Sequence, residues 1–116
     1  MELVCFLGKD KENWGQVSGL VNKGSWDKII FVKNKDAEDF PAENVEVIEI
    51  NCTKPLIELK NELIEKLRKR VSTFDVGLSI ASGSGKEHMA IISALLSIPV
   101  GIRLVVFTKQ GVEFVN

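Results

Sequence analysis

The stretch VGLSIASGSGKEHMAIISALLSI, running from Val76 to Ile98, decides the fold class of this chain. Its first six residues, Val76 to Ala81, are apolar or small and read as a strand. A loop of glycines and donors, Ser82-Gly83-Ser84-Gly85-Lys86, then turns the chain. From Glu87 to Ile98 apolar residues occupy almost every position, with only Ser93 and Ser97 polar after His88, until Pro99 ends the helix. Strand, glycine loop and buried helix in succession are the repeating unit of an α/β sheet protein.

Working outward, the same alternation recurs. Glu2 to Leu7 (ELVCFL) is an almost continuous apolar run closed by Gly8, the pattern of a strand covered on both faces in a parallel sheet. Glu12 to Asn22 places Trp14, Val17 and Val21 on one side of a helix stopped at Gly24, although Gly15 and Gly19 weaken it by roughly 1 kcal/mol each. Asp27 to Lys33 reads as a second strand. After the acidic loop Asp36 to Asn44, the segment Val45 to Cys52 alternates apolar and polar residues, which marks an edge strand with one wet face. Thr53 is placed to cap a helix opened by Lys54-Pro55, in which Leu56, Leu59, Leu63, Leu67 and Val71 recur at helical spacing. The cations Arg68, Lys69 and Arg70 lie at its end, where they complement the helix dipole and read as a solvated terminus. Beyond Pro99, Gly101 to Thr108 and Val112 to Val115 flank Lys109-Gln110-Gly111 and form a hairpin. The order predicts a single Rossmann-like domain over residues 1 to 116: a three-layer α/β sandwich with a mainly parallel six-stranded sheet and a C-terminal antiparallel hairpin.

Composition agrees. The 116 residues are 45% apolar and 27% charged, enough to bury one core without a disulfide or structural metal. Fifteen basic against sixteen acidic residues, a net charge of -1, argue against a protein that coats duplex nucleic acid or a polybasic membrane binder. The longest apolar stretch, Met89 to Val100, is broken by Ser93, Ser97 and Pro99 and falls short of the ~20 residues of a membrane span. Met1-Glu2 runs straight into the first strand without a leader pattern, so a cytoplasmic protein is expected. Cys5 and Cys52 form no C-x-x-C pair and the chain has one histidine, so no zinc site is expected and both thiols read as small buried residues. Lys and Glu dominate the polar residues while Gln occurs only at positions 16 and 110, a bias that leans toward a heat-adapted source.

In an open α/β sheet, ligands bind beyond the carboxyl ends of the strands where the strand order reverses, here between the first and fourth strands. Two loops face that place: Gly8-Lys9-Asp10 with Lys11, and Ser82 to Lys86. The second has the chemistry of an anion site, with glycines that let the backbone approach, a helix N-terminus behind them, and Ser82, Ser84 and Lys86 as donors. It is not a Walker A loop, which would need glycine in place of Ile80 and Ser or Thr in place of Glu87, and His88 breaks a G-x-G-x-x-G pattern.

Ser82-Gly83-Ser84-Gly85-Lys86, followed by Glu87-His88-Met89-Ala90 and an apolar helix, resembles the Ser-Gly-Gly-Thr-Lys motif after the fourth strand of CRISPR-associated Rossmann-fold (CARF) domains, and the element order over the whole chain is similar. The resemblance implies a homodimer that binds a cyclic oligoadenylate or related nucleotide across its interface, with Ser82, Gly83, Ser84, Gly85 and Lys86 in the ligand loop and no further cofactor. Ser84 and Gly85 stand where Gly-Thr is usual. Gly8-Lys9-Asp10 lacks the hydroxyl-rich pattern of the family's first loop, and no winged-helix or nuclease effector is expected within these residues. Some members of the family cleave their ligand as ring nucleases. No catalytic pair is visible here, although Lys86 and Ser84 could stabilise phosphate charge and His88 could act as an acid or base. The remaining alternative is an interaction protein whose glycine loop only turns the chain. His88 reads rather as a polar residue at a helix start, and Trp14 and Trp26 as packing residues rather than base-stacking platforms. The helix after the loop, apolar on nearly every face, calls for cover on nearly every face, either by its own copy across a two-fold axis or by the terminal hairpin.

Overall fold

In the computed structural model, which describes residues Met1 to Asn116, β1 (Glu2–Leu7) is buried at every residue. It is the centre of a six-stranded sheet, with β2 (Lys28–Asn34) and β4 (Asp75–Ser79) hydrogen-bonded parallel on its two sides. β3 (Glu46–Ile50) lies outside β2, and β5 (Gly101–Thr108) outside β4, both parallel, while β6 (Gly111–Phe114) returns antiparallel along β5. The order β3-β2-β1-β4-β5-β6 puts the reversal between β1 and β4, as expected.

Helices cover both faces. Val4, Phe6, Ile30, Val32, Ile48, Ile50, Val76 and Leu78 point to one side, where they meet Leu59, Leu63 and Leu67 of α2 (Leu56–Arg68) and Ala90, Ile91, Ala94 and Leu95 of α3 (Gly85–Ser97). Leu3, Cys5, Leu7, Phe31 and Val105 point to the other, under Val17 and Leu20 of α1 (Trp14–Lys23), with Trp14, Trp26 and Phe40 filling the margins. Each large side chain so buried contributes about 1.5 to 3 kcal/mol. Gly19, which costs helix propensity, has its reason here: a Cβ on it would stand 2.3 Å from the Phe107 ring that packs against α1.

Several helix boundaries differ from the sequence expectation. A short 3-10 turn, Lys11–Asn13, precedes α1, which therefore starts at Trp14 and not at Glu12. Thr53 does not cap α2; the N-cap is Pro55, and the Thr53 hydroxyl instead donates to the Asn51 side chain at 2.6 Å. Proline pushes the residue before it out of the helical region, so the helix cannot begin until Pro55 is passed. α2 ends at Arg68, short of Val71, and the Arg70 guanidinium leaves the helix end to pair with Glu46 at 2.9 Å. α3 begins at Gly85, two residues early, because Ser84 and Glu87 form a reciprocal capping box.

β3 is the edge strand that its alternation implied, and a side chain of α2 reaches its free edge. The Lys66 ammonium donates to the Glu49 carbonyl at 2.6 Å, and the Glu62 carboxylate accepts the Asn51 N–H at 3.2 Å. Such charges on an open edge discourage pairing with another chain. The hairpin folds over the α1 side, with Phe107 and Val112 in that core and Phe114 edge-on to Trp26. It therefore does not cover α3, whose outer face leaves Met89 57% and Leu96 62% exposed. No helix is long and apolar enough to cross a membrane.

Candidate functional site

At the carboxyl ends of β1 and β4 the two predicted loops meet in direct contact. The Gly8 N–H donates to the Ser82 hydroxyl at 2.8 Å, and that hydroxyl donates to the Asp10 carboxylate at 2.6 Å. Asp10 also accepts the Gly83 N–H at 3.0 Å and the Asn13 amide at 2.7 Å. Burial alone would raise the Asp10 carboxyl, but the donors from Ser82, Asn13 and Gly83 outweigh it and hold it below its ordinary value, ionised at neutral pH. Ser82 is wholly buried and its carbonyl lies 2.7 Å from His88 Nε2. A carbonyl only accepts, so His88 donates from Nε2 and braces the loop from the first turn of α3.

The contact is close enough to require glycine on both sides. A Cβ on Gly8 would stand 2.7 Å from the Gly83 Cα, and one on Gly83 would stand 2.7 Å from the Phe6 ring. Gly83 also has φ +104, in the region that glycine adopts without strain. Gly85, by contrast, has nothing within 4 Å of a Cβ.

The N–H donors of the loop divide into two groups. The Gly83 N–H is held by Asp10, and the Ser84 N–H by the Glu87 carboxylate at 2.7 Å. The amides of Gly85 and Lys86, the first two of α3, have no hydrogen-bond partner in the chain and lie at an exposed helix N-terminus, where a negative group is favoured. The Lys86 ammonium reaches sideways to the Cys52 carbonyl at 3.0 Å, tying α3 to the loop between β3 and α2. Lys9 is exposed and faces Asp36 at 3.5 Å.

These elements border a cavity of about 520 Å³. Gly8, Lys9, Asp10, Gly83 and Ser84 line it, whereas Ser82 lies buried beneath and Gly85 and Lys86 stand outside its lining. Sequence reasoning missed the rest of the wall, including Asn13, Asn34, Cys52 and Glu87. Asn34 could have been found, because it ends the strand beside β1. Cys52 is half-buried and faces the cavity, unlike the fully buried Cys5. Burial, joined by the negative charge of the nearby Glu87 carboxylate, pushes the Cys52 thiol up to about 12, which keeps it protonated at neutral pH. Its N–H donates to the Asn34 side chain at 2.8 Å.

A second, smaller cavity of about 250 Å³ adjoins the first, sharing Gly8, Lys9 and Ala37 with it. Trp14 forms one of its walls, and the Trp14 indole N–H donates to the Gly8 carbonyl at 3.3 Å. The largest cavity, about 920 Å³, lies away from the switch point, between α1 and the Phe40–Asn44 segment, and holds none of the predicted site residues. No protein-family model matches the chain, and no curated protein matches it in sequence.

Proposed function

We propose that the chain is a nucleotide-binding module that takes a phosphate-bearing ligand, of which cyclic oligoadenylate is the first choice, at the switch point between β1 and β4. The observation that carries this reading is the pair of unpartnered amides, Gly85 and Lys86, at the head of α3 beside the 520 Å³ cavity. The clasp among Gly8, Asp10 and Ser82 supports it by holding the surrounding loops rigid, so that little ordering remains for a ligand to impose. Of the three carboxylates that line the cavity, Asp10 is committed to Ser82, Gly83 and Asn13 and Glu87 to Ser84, whereas Glu12 is exposed and unpaired. Binding is favoured over cleavage, because His88 Nε2 is used on Ser82, the Ser84 hydroxyl on its cap and the Lys86 ammonium on Cys52. A two-fold dimer through the exposed side of α3 would cover Met89 and Leu96 and bring two copies of the loop toward one symmetric ligand.

Thermal-shift titration with cyclic tetra- and hexa-adenylate, followed by chromatography of the ligand, tests the reading. A rise in melting temperature with intact ligand is the expected result. New products would instead support a ring nuclease, and no shift with either ligand would leave an interaction protein.

A further inference from the structure

We propose that Trp14 is the platform on which the base of that nucleotide stacks, in the 250 Å³ cavity beside the phosphate site, with Lys9 at the passage between the two. The inference rests on the reading of the switch point as a nucleotide site, and its own support is independent of the α3 terminus. A cavity of 250 Å³ is below the roughly 300 to 1,000 Å³ that holds a whole small-molecule ligand, so it suits one planar ring system, while the adjoining 520 Å³ suits a sugar and phosphate. Its wall is an indole, whose face is a sequence-tolerant surface for any base. The ring is fixed in place: its N–H is bonded to the Gly8 carbonyl, and Phe40 packs against it with centroids 5.4 Å apart.

The lining is polar where a base has polar edges. Asp36 and Glu38 present carboxylate acceptors, which match the exocyclic amino group of adenine better than the carbonyl edge of uracil. Both carboxylates are at present paired, Asp36 with Lys9 through one oxygen and with the Asn34 amide through the other, and Glu38 with Lys11, whose ammonium stands 5.8 Å from the Trp14 ring centroid. These pairs are exposed on both sides, and exposed pairs are worth little, so an entering base displaces them readily. Trp26 borders the 920 Å³ cavity, but that cavity lies away from the switch point and the phosphate loop, and the ring packs over Gly77 and against Phe114.

Fluorescence tests the proposal, since Trp14 and Trp26 are the only tryptophans. In Trp26→Phe, the remaining Trp14 emission should be quenched by adenosine 5′-monophosphate and by adenosine, but not by ribose 5-phosphate. Trp14→Leu should raise the dissociation constant for adenosine 5′-monophosphate by roughly tenfold or more, and Trp14→Phe, which keeps an aromatic face, should restore most of it. Adenosine that quenches Trp14 while phosphate adds nothing would keep the platform and remove the phosphate site. Calorimetric binding of adenosine 5′-monophosphate without a change in Trp14 emission would overturn the platform and keep the site. Absence of quenching by millimolar adenosine and adenosine 5′-monophosphate also overturns it.

Discussion

A methyl group distinguishes the glycines at the switch point. Gly83→Ala would place a Cβ against Phe6 at 2.7 Å and force an L residue into φ +104, and Gly8→Ala would press on the Gly83 backbone. Each should lower unfolding free energy by about 1 to 3 kcal/mol or more in urea titration. Gly85→Ala meets nothing within 4 Å and should be neutral or stabilising by up to about 1 kcal/mol. Ionised residues at the two ends of β1, Glu2 at its start and Asp10 beyond its end, set the acid behaviour. Burial raises the Glu2 carboxyl, but the Ser72 hydroxyl and amide with Lys28 outweigh it, so that Glu2, like Asp10, titrates below its ordinary value. A lowered folded value means stability that is complete above the unfolded values, near 4.5 for Glu2 and 3.8 for Asp10, and is lost as pH falls through the folded ones. Urea midpoints between about pH 6 and pH 2 should fall with acidification, and Asp10→Asn should flatten part of that slope while costing roughly 1.5 to 3 kcal/mol at neutral pH.

At the scale of an element, two hydroxyls that look alike in sequence have different consequences. Ser84 caps α3, accepting the Glu87 N–H at 3.3 Å, and Ser84→Ala should cost about 1 kcal/mol. Thr53 caps nothing, and Thr53→Ala should stay within about 0.5 kcal/mol of the parent in the same denaturation assay. The two sites differ because Lys54-Pro55 delays the start of α2, whereas Gly85 and Lys86 let α3 start directly after Ser84. Helix periodicity alone placed both helices, but the first residue depended on the Pro55 ring in α2 and on the Ser84 hydroxyl closing back on the Glu87 amide in α3.

At the scale of the whole molecule, one face lacks cover. The stripe of Met89, Ile92 and Leu96 runs along α3 with Met89 and Leu96 more than half exposed, since the hairpin has folded to the α1 side. Sedimentation equilibrium at tens of micromolar protein should find a dimer. Leu96→Asp should give a monomer with unchanged circular dichroism, because the side chain is 62% exposed and outside the core. A wild-type monomer under those conditions would remove the shared-ligand geometry while leaving the site within one chain.

The sequence by itself determined the α/β class, the order of the elements, the burial of β1, the edge position of β3 and the loops that meet at the switch point. Each of these is a local property: apolar runs, alternation, helical spacing and glycine placement repeat over a few residues and are legible without partners. The tertiary structure decided what those loops do to one another. Asp10 and Ser82 are 72 residues apart in the chain, and their hydrogen bond follows only when β1 and β4 pair in register. The same pairing spends the Gly83 amide on Asp10, brings Asn34 and Cys52 to the cavity wall and sets Trp14 beside Gly8. Side-chain contacts between strand ends depend on register and on the side of the sheet each connection takes, and neither is encoded in the periodicity of any one segment.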